Sequence, residues 1–488
     1  MAYLKQLLKN CNYMCLQGSV DRKVTDICYD SKEVKRGSMF LCLQGQYRDG
    51  HDYIPEAVKR GAAVCVVQKN VVVPENVTVI RVQDTRATLA ILAADYYGRP
   101  AEKLHMIGIT GTKGKTSSAY MIWHILRGAG FRVGLIGTIG LQMEDTCTSF
   151  ANTTPESMII QQSLRKMADA GYDFCVMEVS SQGLKNHRVD EITFDIGIFT
   201  NISPDHIGPG EHADFAEYLR CKSLIFAKSR MGIINADDRF ARKAAAKYGC
   251  KVRSYGIWNK ADYQASDINY TRFEECLGMR YHLSGACSCE MEIGMPGIYN
   301  VYNSLAAIAV CHMTGMPAEA LKDALRHISI KGRIEEITVS KDYRLLIDYA
   351  HNAVSLENLL STLRFYKPGR IVTLFGCGGN RSKLRRFQMG EVSGRLSDFT
   401  IITSDNPRFE NPEDIIADIE TGIQKTKGSY ITITDRREAI AYAIQNARKD
   451  DMIVLAGKGH EDYQEIKGKQ YPMDERNIID EIVRQYHY

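Results

Sequence analysis

The sequence predicts an α/β protein with three domains. Its 488 residues correspond to about three domains of roughly 150 residues each. Short runs rich in β-branched residues alternate with helical patterns over most of the chain, as in α/β folds. Two separate series of apolar runs end in polar or glycine-rich turns, where open parallel sheets bind ligands. We expect a small N-terminal α/β domain over residues 1–98, a central parallel-sheet domain over 99–332 and a Rossmann-like C-terminal domain over 333–488.

The bulk composition argues against several classes of protein. Lys and Arg total 62 against 58 Asp and Glu, a net charge of +4 that is far from the basic footprint of a nucleic-acid-binding protein. The polar amino terminus and the absence of a run of about 18 apolar residues argue against a signal peptide and membrane insertion. The 14 cysteines are scattered, and neither of the closest pairs, Cys11 with Cys15 and Cys287 with Cys289, has a matching second pair at zinc spacing. We therefore expect a cytoplasmic protein with reduced thiols and no nucleic-acid partner.

The predicted central domain begins with a strand, a turn and a helix. Residues 104–110 form the apolar run, and Ala119, Ile122, Trp123 and Leu126 then recur at helical spacing before two glycines end the helix. The nearly continuous apolar character of the runs that follow is typical of buried parallel strands. These further strands are predicted at residues 132–138, 174–180, 195–203 and 232–238.

The predicted C-terminal domain repeats this pattern. Each apolar run there leads into a polar or glycine-rich turn, which places polar side chains at the carboxyl ends of the strands. The strand-and-turn segments are residues 345–351, 370–380, 399–408 and 452–461. Helical patterns at residues 355–366 and 413–424 separate them.

A glycine-rich turn from Gly108 to Thr116 lies between the first central strand and its helix. Glycines let backbone N–H groups approach phosphate oxygens, and the amino terminus of a helix adds partial positive charge. Lys115 can reach the β- and γ-phosphates of a nucleotide, and the Thr116 hydroxyl can ligate Mg²⁺. Ile109 occupies the first glycine position of the strict P-loop spacing, so a plain structural turn is the alternative. Gly-Lys-Thr between strand and helix favours nucleotide binding.

The segment Thr110–Thr116 resembles the T-G-T-x-G-K-T loop of the Mur ligases of peptidoglycan synthesis, and the resemblance extends over nearly the whole chain. It implies that the central domain is a P-loop ATPase domain. Lys113 departs from the Asn that is common in the family and adds a charge beside the phosphates. The residues that would bind ATP in this loop are Gly111, Thr112, Lys113, Gly114, Lys115, Thr116 and Ser117.

Two strand ends after the loop carry Glu178 and His206, a carboxylate and an imidazole that suit Mg²⁺ and its waters. A surface histidine is the alternative for His206. The resemblance implies that both serve magnesium beside Thr116, and that Lys222 is carbamylated and supports the metal. Without the resemblance, Lys222 would be a solvated residue of an amphipathic helix. The second histidine of the family's H-L-D-x-H element is absent at its usual position, which is Gly210 here.

Three more nucleotide contacts follow from the resemblance. Asn303 matches the second Asn of a G-x-x-N-x-x-N element and would contact adenine, although a capping role is its alternative. Arg333 matches an arginine that stabilises charge at the γ-phosphate. Asp348, in a D-Y-A-H element, has an acceptor-only side chain that suits ribose hydroxyls.

The resemblance also implies residues for the two other substrates. Without it, the segments that would hold the UDP-sugar peptide are ordinary turns. These residues are Ser31, Gln46, Asn152, Thr153, Thr154, Ser180, Asn186 and Arg188. The D-N-P-R motif that the family associates with meso-diaminopimelate is Asp405, Asn406, Pro407 and Arg408, and further acceptor contacts would be Arg381, Gly457 and Glu461. An arginine fork suits a carboxylate, whereas a strand-ending turn with a surface arginine is the alternative.

The implied activity is that of an amide ligase that uses ATP and Mg²⁺. It would add meso-diaminopimelate to UDP-N-acetylmuramoyl-L-alanyl-D-glutamate through an acyl phosphate. The catalytic residues would be Lys115, Glu178, His206, Lys222 and Arg333. A ligase of the same fold that uses L-lysine or another amine is one alternative, and a non-catalytic nucleotide-binding regulator is another.

Overall fold

The computed structural model describes residues 2–45, 48–144, 146–208, 210–274 and 276–486. The chain folds into two compact units. The first comprises Met1–Gln264, Ser284–Cys287 and Tyr302–Leu321, and the second comprises Ala265–Leu283, Ser288–Val301 and Lys322–Tyr488. None of the helices in the described part of the chain combines the length and apolar character required to cross a bilayer.

The first unit begins with a five-stranded sheet. One edge pair is antiparallel and the other pairs are parallel. In sheet order the strands are Tyr13–Gln17, Thr78–Val82, Val64–Val67, Met39–Leu41 and Ile27–Cys28. The helices are Leu4–Leu7, Ile54–Lys59 and Thr85–Tyr96, and a small ladder joins Ala2–Tyr3 to Lys23–Val24. The Asp84 carboxylate accepts hydrogen bonds from Arg86 N and Ala87 N, so it caps the longest of these helices.

A larger sheet, parallel at its centre, forms the rest of the first unit. In sheet order its strands are Thr146–Thr148, Gly140–Met143, Val133–Gly137, Phe174–Glu178, His105–Thr110, Phe194–Phe199, Ser229–Asn235, Val252–Gly256 and the start of Tyr263–Arg272. The helices between these strands are Lys115–Gly128, Ser157–Asp169, Ser181–Lys185, Phe215–Ala227 and Ala241–Ala246. The four central-domain strands predicted between residues 132 and 238 are all present, and each begins within three residues of its predicted start.

The second unit contains a six-stranded sheet that is parallel except at one edge. In sheet order the strands are Glu335–Ile337, Arg344–Asp348, Met452–Ala456, Ile371–Phe375, Phe399–Ile402 and Tyr430–Thr432. The main helices are Ala353–Arg364, Lys383–Leu396, Pro412–Ile423, Arg436–Gln445 and Glu475–Tyr486. Hairpin strands lie at Leu277–Gly285 with Cys289–Ile293 and at Tyr463–Ile466 with Lys469–Pro472. Two helices lie in segments that pass from one unit to the other: Ile298–Met313 and Ala318–Arg326.

The fold class and its three-domain α/β organisation are confirmed. Each of the three predicted ranges, 1–98, 99–332 and 333–488, contains its own main sheet. The two predicted series of strand-end turns fall in different units, one in the first and one in the second. The domain boundaries near residues 98 and 333 stay predictions. All 14 cysteines are free thiols, and seven of them are buried.

The strand that leads into the phosphate loop needs a glycine in its middle. A Cβ atom on Gly108 would lie 2.7 Å from the ring of Phe194, which is completely buried on the neighbouring strand. That separation is too short for two carbon atoms, so the ring occupies the space that a side chain would need.

We predict that Gly108→Ala lowers the free energy of unfolding by about 1–3 kcal/mol, because the added methyl group overpacks this contact. The matched control is Gly128→Ala at the end of the helix Lys115–Gly128, where no atom lies within 4 Å of the new Cβ. Thermal and urea unfolding midpoints of the two variants measure the effect. Equal midpoints would contradict the prediction.

Candidate active site

The phosphate loop connects the strand His105–Thr110 to the helix Lys115–Gly128. Gly114 has φ +85°, a left-handed conformation that glycine adopts without strain. A Cβ atom there would also lie 2.4 Å from Oδ1 of Asn303. The structure therefore places the proposed adenine residue Asn303 directly against the loop, where its Oδ1 also accepts a hydrogen bond from Ser118 Oγ at 3.4 Å.

The rim of the loop is attached to the end of the strand Phe194–Phe199. Thr112 N donates to Asn201 O at 2.9 Å, and Lys113 N donates to Asn201 Oδ1 at 2.9 Å. Thr200 Oγ1 donates to Lys113 O at 2.7 Å. The Lys113 ammonium, which departs from the family pattern, lies 3.8 Å from a carboxylate oxygen of Asp205. The loop conformation therefore depends on the neighbouring strand end as well as on its glycines.

The Lys115 side chain folds over the loop. Its Nζ donates to Gly111 O at 2.8 Å and to Thr112 O at 3.3 Å. Both acceptors are backbone carbonyls of the turn, so the ammonium is held at the amino terminus of the helix, where phosphate oxygens bind in P-loops.

Glu178 ends its strand as a completely buried carboxylate. Its Oε2 accepts from Thr116 Oγ1 at 2.9 Å and from Thr138 Oγ1 at 3.1 Å, and its Oε1 accepts from Thr138 N at 2.8 Å. Thr138 Oγ1 also lies 3.1 Å from Thr153 Oγ1. The structure thus brings together three residues predicted from sequence, Thr116, Glu178 and Thr153. Thr138, which links them, carried no signal in the sequence.

Lys222 is 2% exposed on the helix Phe215–Ala227. Its Nζ donates to Gly111 O at 2.8 Å and lies 4.7 Å from the centre of the Tyr218 ring. Burial holds the pKa of the Lys222 amine well below its usual range, and the neighbouring Lys115 charge adds to this effect. The amine therefore contacts the same carbonyl as Lys115. The low pKa favours its neutral form more than in a solvated lysine, and the neutral amine is the form that reacts with carbon dioxide.

His206 is more exposed than this group, and its ring centre lies 6.1 Å from that of Tyr218, which Lys222 also contacts. Its side chain is about half exposed, and its Nδ1 is 3.0 Å from Glu211 Oε1. A second histidine, His212, is completely buried, and its Nε2 lies 2.9 Å from Ser181 Oγ. Sequence reasoning missed His212 because it stands two residues beyond the expected position. The Glu-His pair before the helix Phe215–Ala227 was the available signal.

A cavity of approximately 800 Å³ lies in the first unit beside these residues. Asn152, Asn186 and Arg188, all predicted to bind the sugar-nucleotide peptide, line it. Arg188 donates to Glu156 Oε1 through Nε at 3.0 Å and Nη2 at 2.6 Å, and to Thr154 O through Nη1 at 2.8 Å. Arg86 also lines the cavity, with its Nη1 3.3 Å from the same Glu156 oxygen. Sequence reasoning did not identify Arg86 or Glu156 as residues of this cavity region.

The other residues predicted to bind the sugar nucleotide make hydrogen bonds within the protein. Thr154 Oγ1 donates to Glu178 O at 3.0 Å and accepts from Ser180 N at 2.9 Å, so it connects the ends of one strand and the next helix. Ser180 Oγ caps the helix Ser181–Lys185. Ser31 Oγ donates to Glu56 Oε2 at 2.8 Å. Gln46 lies outside the described residues.

In the second unit, Arg333 and Asp348 are neighbours. Asp348 Oδ2 accepts from Ile334 N and its Oδ1 from Ala350 N, both at 2.8 Å. Burial raises the pKa of the Asp348 carboxyl, and the Arg333 charge opposes that rise. The Arg333 guanidinium lies 5.2 Å from the centre of the Tyr349 ring, and its Nε is buried without a hydrogen-bond partner among the described residues. The His460 ring centre lies 4.7 Å from that of Tyr349. Burial lowers the pKa of His460 to about 4, so its imidazole is neutral near pH 7.

The predicted acceptor residues form a connected polar group in the second unit. The completely buried Lys458 donates to Asn406 Oδ1 at 3.1 Å, Glu461 Oε2 at 3.3 Å and Asp405 Oδ1 at 3.4 Å. Asn406 Nδ2 donates to Glu461 Oε2 at 2.9 Å. The structure thus brings the D-N-P-R and G-K-G-H-E turns together. Gly457 also belongs here, because a Cβ atom on it would lie 3.0 Å from Asp405 Oδ2.

Arg408 is partly buried beside this group. Its Nε donates to Glu465 Oε2 at 3.0 Å and its Nη1 to Gly379 O at 2.8 Å. Its backbone has φ +52° and is held by Arg408 N donating to Glu465 O at 3.0 Å. Arg381 is exposed, and its Cγ lies 3.9 Å from the position of a Cβ on Gly378, whose nearest neighbour is Arg408 Nη1. The two arginines therefore flank one glycine.

A buried ion pair supports both acceptor turns. The Arg436 guanidinium lies 2.8 Å from Glu475 Oε1, and both side chains are at most 1% exposed. Arg436 also donates to Ser404 O at 3.3 Å and to Ala456 O at 3.1 Å, the carbonyls that precede the two turns. This arginine had no signal in the sequence, because its position at the start of a helix resembles that of a surface residue.

Comparisons with known proteins agree with the sequence resemblance. Three family models match the chain: the Mur ligase family catalytic domain over residues 23–97, the Mur ligase middle domain over 109–311 and the Mur ligase glutamate ligase domain over 332–459. A UDP-N-acetylmuramoyl-L-alanyl-D-glutamate–2,6-diaminopimelate ligase from Caldanaerobacter subterraneus subsp. tengcongensis is 42% identical over 482 residues, which are 98% of each chain. A ligase of the same name, numbered 1, from Clostridium acetobutylicum is 40% identical over 490 residues, which are 99% of each chain.

Solved structures show the same fold. The structure of a UDP-N-acetylmuramoyl-L-alanyl-D-glutamate–2,6-diaminopimelate ligase superposes with a TM-score of 0.70 at 27% identity and covers 100% of this chain and 99% of that one. A MurF structure from Acinetobacter baumannii has a TM-score of 0.67 at 19% identity, with 99% and 98% of the two chains covered. The identity over the full length, and the three family models in their order along the chain, establish the family. The chain belongs to the Mur ligase family.

Proposed function

We propose that this chain is an ATP-dependent amide ligase that joins meso-diaminopimelate to UDP-N-acetylmuramoyl-L-alanyl-D-glutamate. The observation that carries the proposal is the phosphate loop, where Lys115 and Lys222 both donate to Gly111 O and Thr116 donates to the buried Glu178. This arrangement joins a phosphate-binding lysine, a hydroxyl and a carboxylate in one buried group. The names of relatives at about 40% identity, quoted above, support the choice of substrates.

The reaction requires two steps. The free D-glutamate carboxylate attacks the γ-phosphorus of ATP, which forms an acyl phosphate and releases ADP. The amine of the third amino acid then attacks the acyl carbon, so that an amide bond forms, phosphate leaves and the amine gives up a proton. Lys115 would have to exchange its two carbonyl partners for phosphate oxygens, a change that places its charge where negative charge develops. Arg333 would supply a second positive charge at the γ-phosphate.

The donor set fits magnesium. A buried carboxylate and a threonine hydroxyl are hard oxygen ligands of the kind that Mg²⁺ takes in nucleotide sites. Thr116 and Glu178 would hold the ion, with His206 and the Lys222 carbamate as further contacts. When bound, the ion would neutralise phosphate charge during transfer.

Arg408 would select the acceptor amino acid. Its Nε and Nη1 contact Glu465 and Gly379, and we expect Nη2 to face the distal carboxylate of diaminopimelate. L-Lysine lacks that carboxylate, so it would leave Nη2 of the guanidinium without this contact, although Nε would keep Glu465. The Lys458 group would hold the surrounding turns, since its partners Asp405, Asn406 and Glu461 all belong to the predicted acceptor site.

We predict that Lys115→Ala lowers phosphate release at least about 100-fold, the order of effect seen when one transition-state charge partner is removed. Turnover is measured with ATP, the UDP-muramoyl-dipeptide and diaminopimelate, and folding by the thermal midpoint. The control is Lys166→Ala, an exposed lysine on the helix Ser157–Asp169. Turnover of the Lys115 variant within a few-fold of the control would remove the argument from the phosphate loop.

The carbamate at Lys222 has a separate test. Intact-mass measurement under native conditions with bicarbonate should show the increment of one carbon dioxide, which Lys222→Arg should lack because a guanidinium does not form the carbamate. Loss of phosphate release in a variant that also lacks the mass increment would link activity to the carbamate. An active wild-type enzyme that never carries the increment, measured in the same buffer, would contradict the modification.

We predict that kcat/KM for meso-diaminopimelate exceeds that for L-lysine by about 30-fold or more, because L-lysine cannot make the charge-assisted contact with Arg408, which contributes about 2 kcal/mol or more. Arg408→Ala should remove most of this ratio and leave the KM for ATP unchanged. Arg437→Ala, in which an exposed arginine paired with Glu481 is removed, is the matched control. Equal specificity constants for the two amino acids with the wild-type enzyme would favour a ligase of the same fold with a different acceptor.

A further inference from the structure

A second cluster of ligand-type side chains lies on the helix Phe215–Ala227 and just before it. His212 precedes the helix, Glu217 is in its first turn and Cys221 is four residues further on, which places the last two on one face. One nitrogen, one carboxylate oxygen and one sulfur from these three residues lie within 4.8 Å of one another. The residues are therefore close enough to share one ion.

His212 has a nitrogen that the protein does not satisfy. The side chain is completely buried, and its Nε2 is 2.9 Å from Ser181 Oγ. Its Nδ1 is buried without a hydrogen-bond partner among the described residues and lies 3.9 Å from Glu217 Oε2. A buried polar atom without a partner is unfavourable, because it has lost its hydrogen bonds to water. The nitrogen therefore lies beside the Glu217 carboxylate with its bonding capacity unused.

We propose that His212, Glu217 and Cys221 form a binding site for a borderline-soft divalent cation such as Zn²⁺. A set of one imidazole nitrogen, one carboxylate oxygen and one thiolate sulfur suits Zn²⁺ or Co²⁺, whereas Mg²⁺ and Ca²⁺ take oxygen ligands. Tetrahedral coordination at about 2.0–2.3 Å requires ligand atoms roughly 3.3–3.8 Å apart, so small side-chain rotations close the site. A water molecule would complete the coordination.

The charges of the three ligands offset the charge of the cation. A neutral imidazole, one carboxylate and one thiolate carry two negative charges, which offset the two positive charges of the cation. The thiol proton leaves to solvent as the sulfur–metal bond forms. Glu217 Oε1 is 3.0 Å from Lys185 Nζ, and Glu217 Oε2 accepts from Ala213 N at 2.6 Å. A carboxylate oxygen has two lone pairs, so Oε2 can keep the backbone contact and bind the cation.

Cation binding would act on the wall of the substrate cavity. With the ion on Nδ1, the imidazole Nε2 carries the proton and donates to Ser181 Oγ, which fixes the ring orientation. Ser181 begins the helix Ser181–Lys185, and Gln182 and Lys185 of that helix line the cavity of approximately 800 Å³. An occupied site would therefore restrain one side of the cavity without using a residue of the proposed Mg²⁺ group.

Cobalt titration of the full chain tests the proposal. The protein is stripped with a chelator and saturated with Mg²⁺, and Co²⁺ is then added. We expect a thiolate-to-cobalt absorption band in the near ultraviolet and the intense visible bands of tetrahedral cobalt, both saturating at a single equivalent and removed by Zn²⁺. Cys221→Ser should abolish the near-ultraviolet band, and His212→Gln should weaken binding by at least about tenfold.

Two further variants complete the design. Cys250→Ser changes a partly buried thiol outside the cluster and should leave the cobalt spectrum unchanged. Glu217→Gln should keep the thiolate band and weaken binding, which preserves a test if the cysteine variant fails to fold. A wild-type spectrum without a thiolate band, or a Cys221→Ser spectrum identical to that of the wild type, would overturn the proposal. These readouts do not depend on ligase activity.

Discussion

The buried carboxylate of Glu178 is the constraint on which the first unit depends. An ionised carboxylate without water must receive hydrogen bonds from the protein, because an uncompensated buried charge costs several kcal/mol. Thr116 and Thr138 supply them, and Thr154 binds the carbonyl of the same residue. The phosphate loop, two strand ends and the segment that enters the substrate cavity are thereby fixed around one side chain. Any cation that binds Glu178 would find a group already assembled for it.

In the second unit, the two turns predicted to bind the acceptor amino acid are arranged around buried positive charges, each held by hydrogen-bond acceptors. Lys458 and Arg436 are buried cations, and each is surrounded by acceptors from both turns or from the strand ends before them. Removing one partner would leave a buried charge uncompensated, which is more costly than the pair is stabilising. Such groups define one conformation of the turns, and Arg408 projects from this defined frame.

The strands, the helices and the phosphate loop could be predicted because their signals are local. Each apolar run, each helical pattern and the Gly-Lys-Thr turn spans only about ten residues of sequence. Thr138 and Arg436 could not be predicted, because their roles come from strand neighbours that only the folded sheet brings together. His212 was missed because it lies two residues beyond the position at which the family motif places its second histidine. The family resemblance supplied Lys222, whose burial no helical pattern could indicate.

The shared carboxylate of Glu156 has an electrostatic consequence for the substrate cavity. Two guanidinium groups, Arg86 and Arg188, contact one oxygen of Glu156, so this part of the wall keeps a surplus of one positive charge, whereas Lys185, Glu211 and Glu217 line the rest of the cavity. The whole chain carries only +4, and an anion approaching it would therefore feel mainly this local field. The field extends about 10 Å at 0.1 M ionic strength before salt screens it. An anionic sugar nucleotide would thus be attracted only within about 10 Å of this wall. Its association rate would therefore fall only moderately as salt increases.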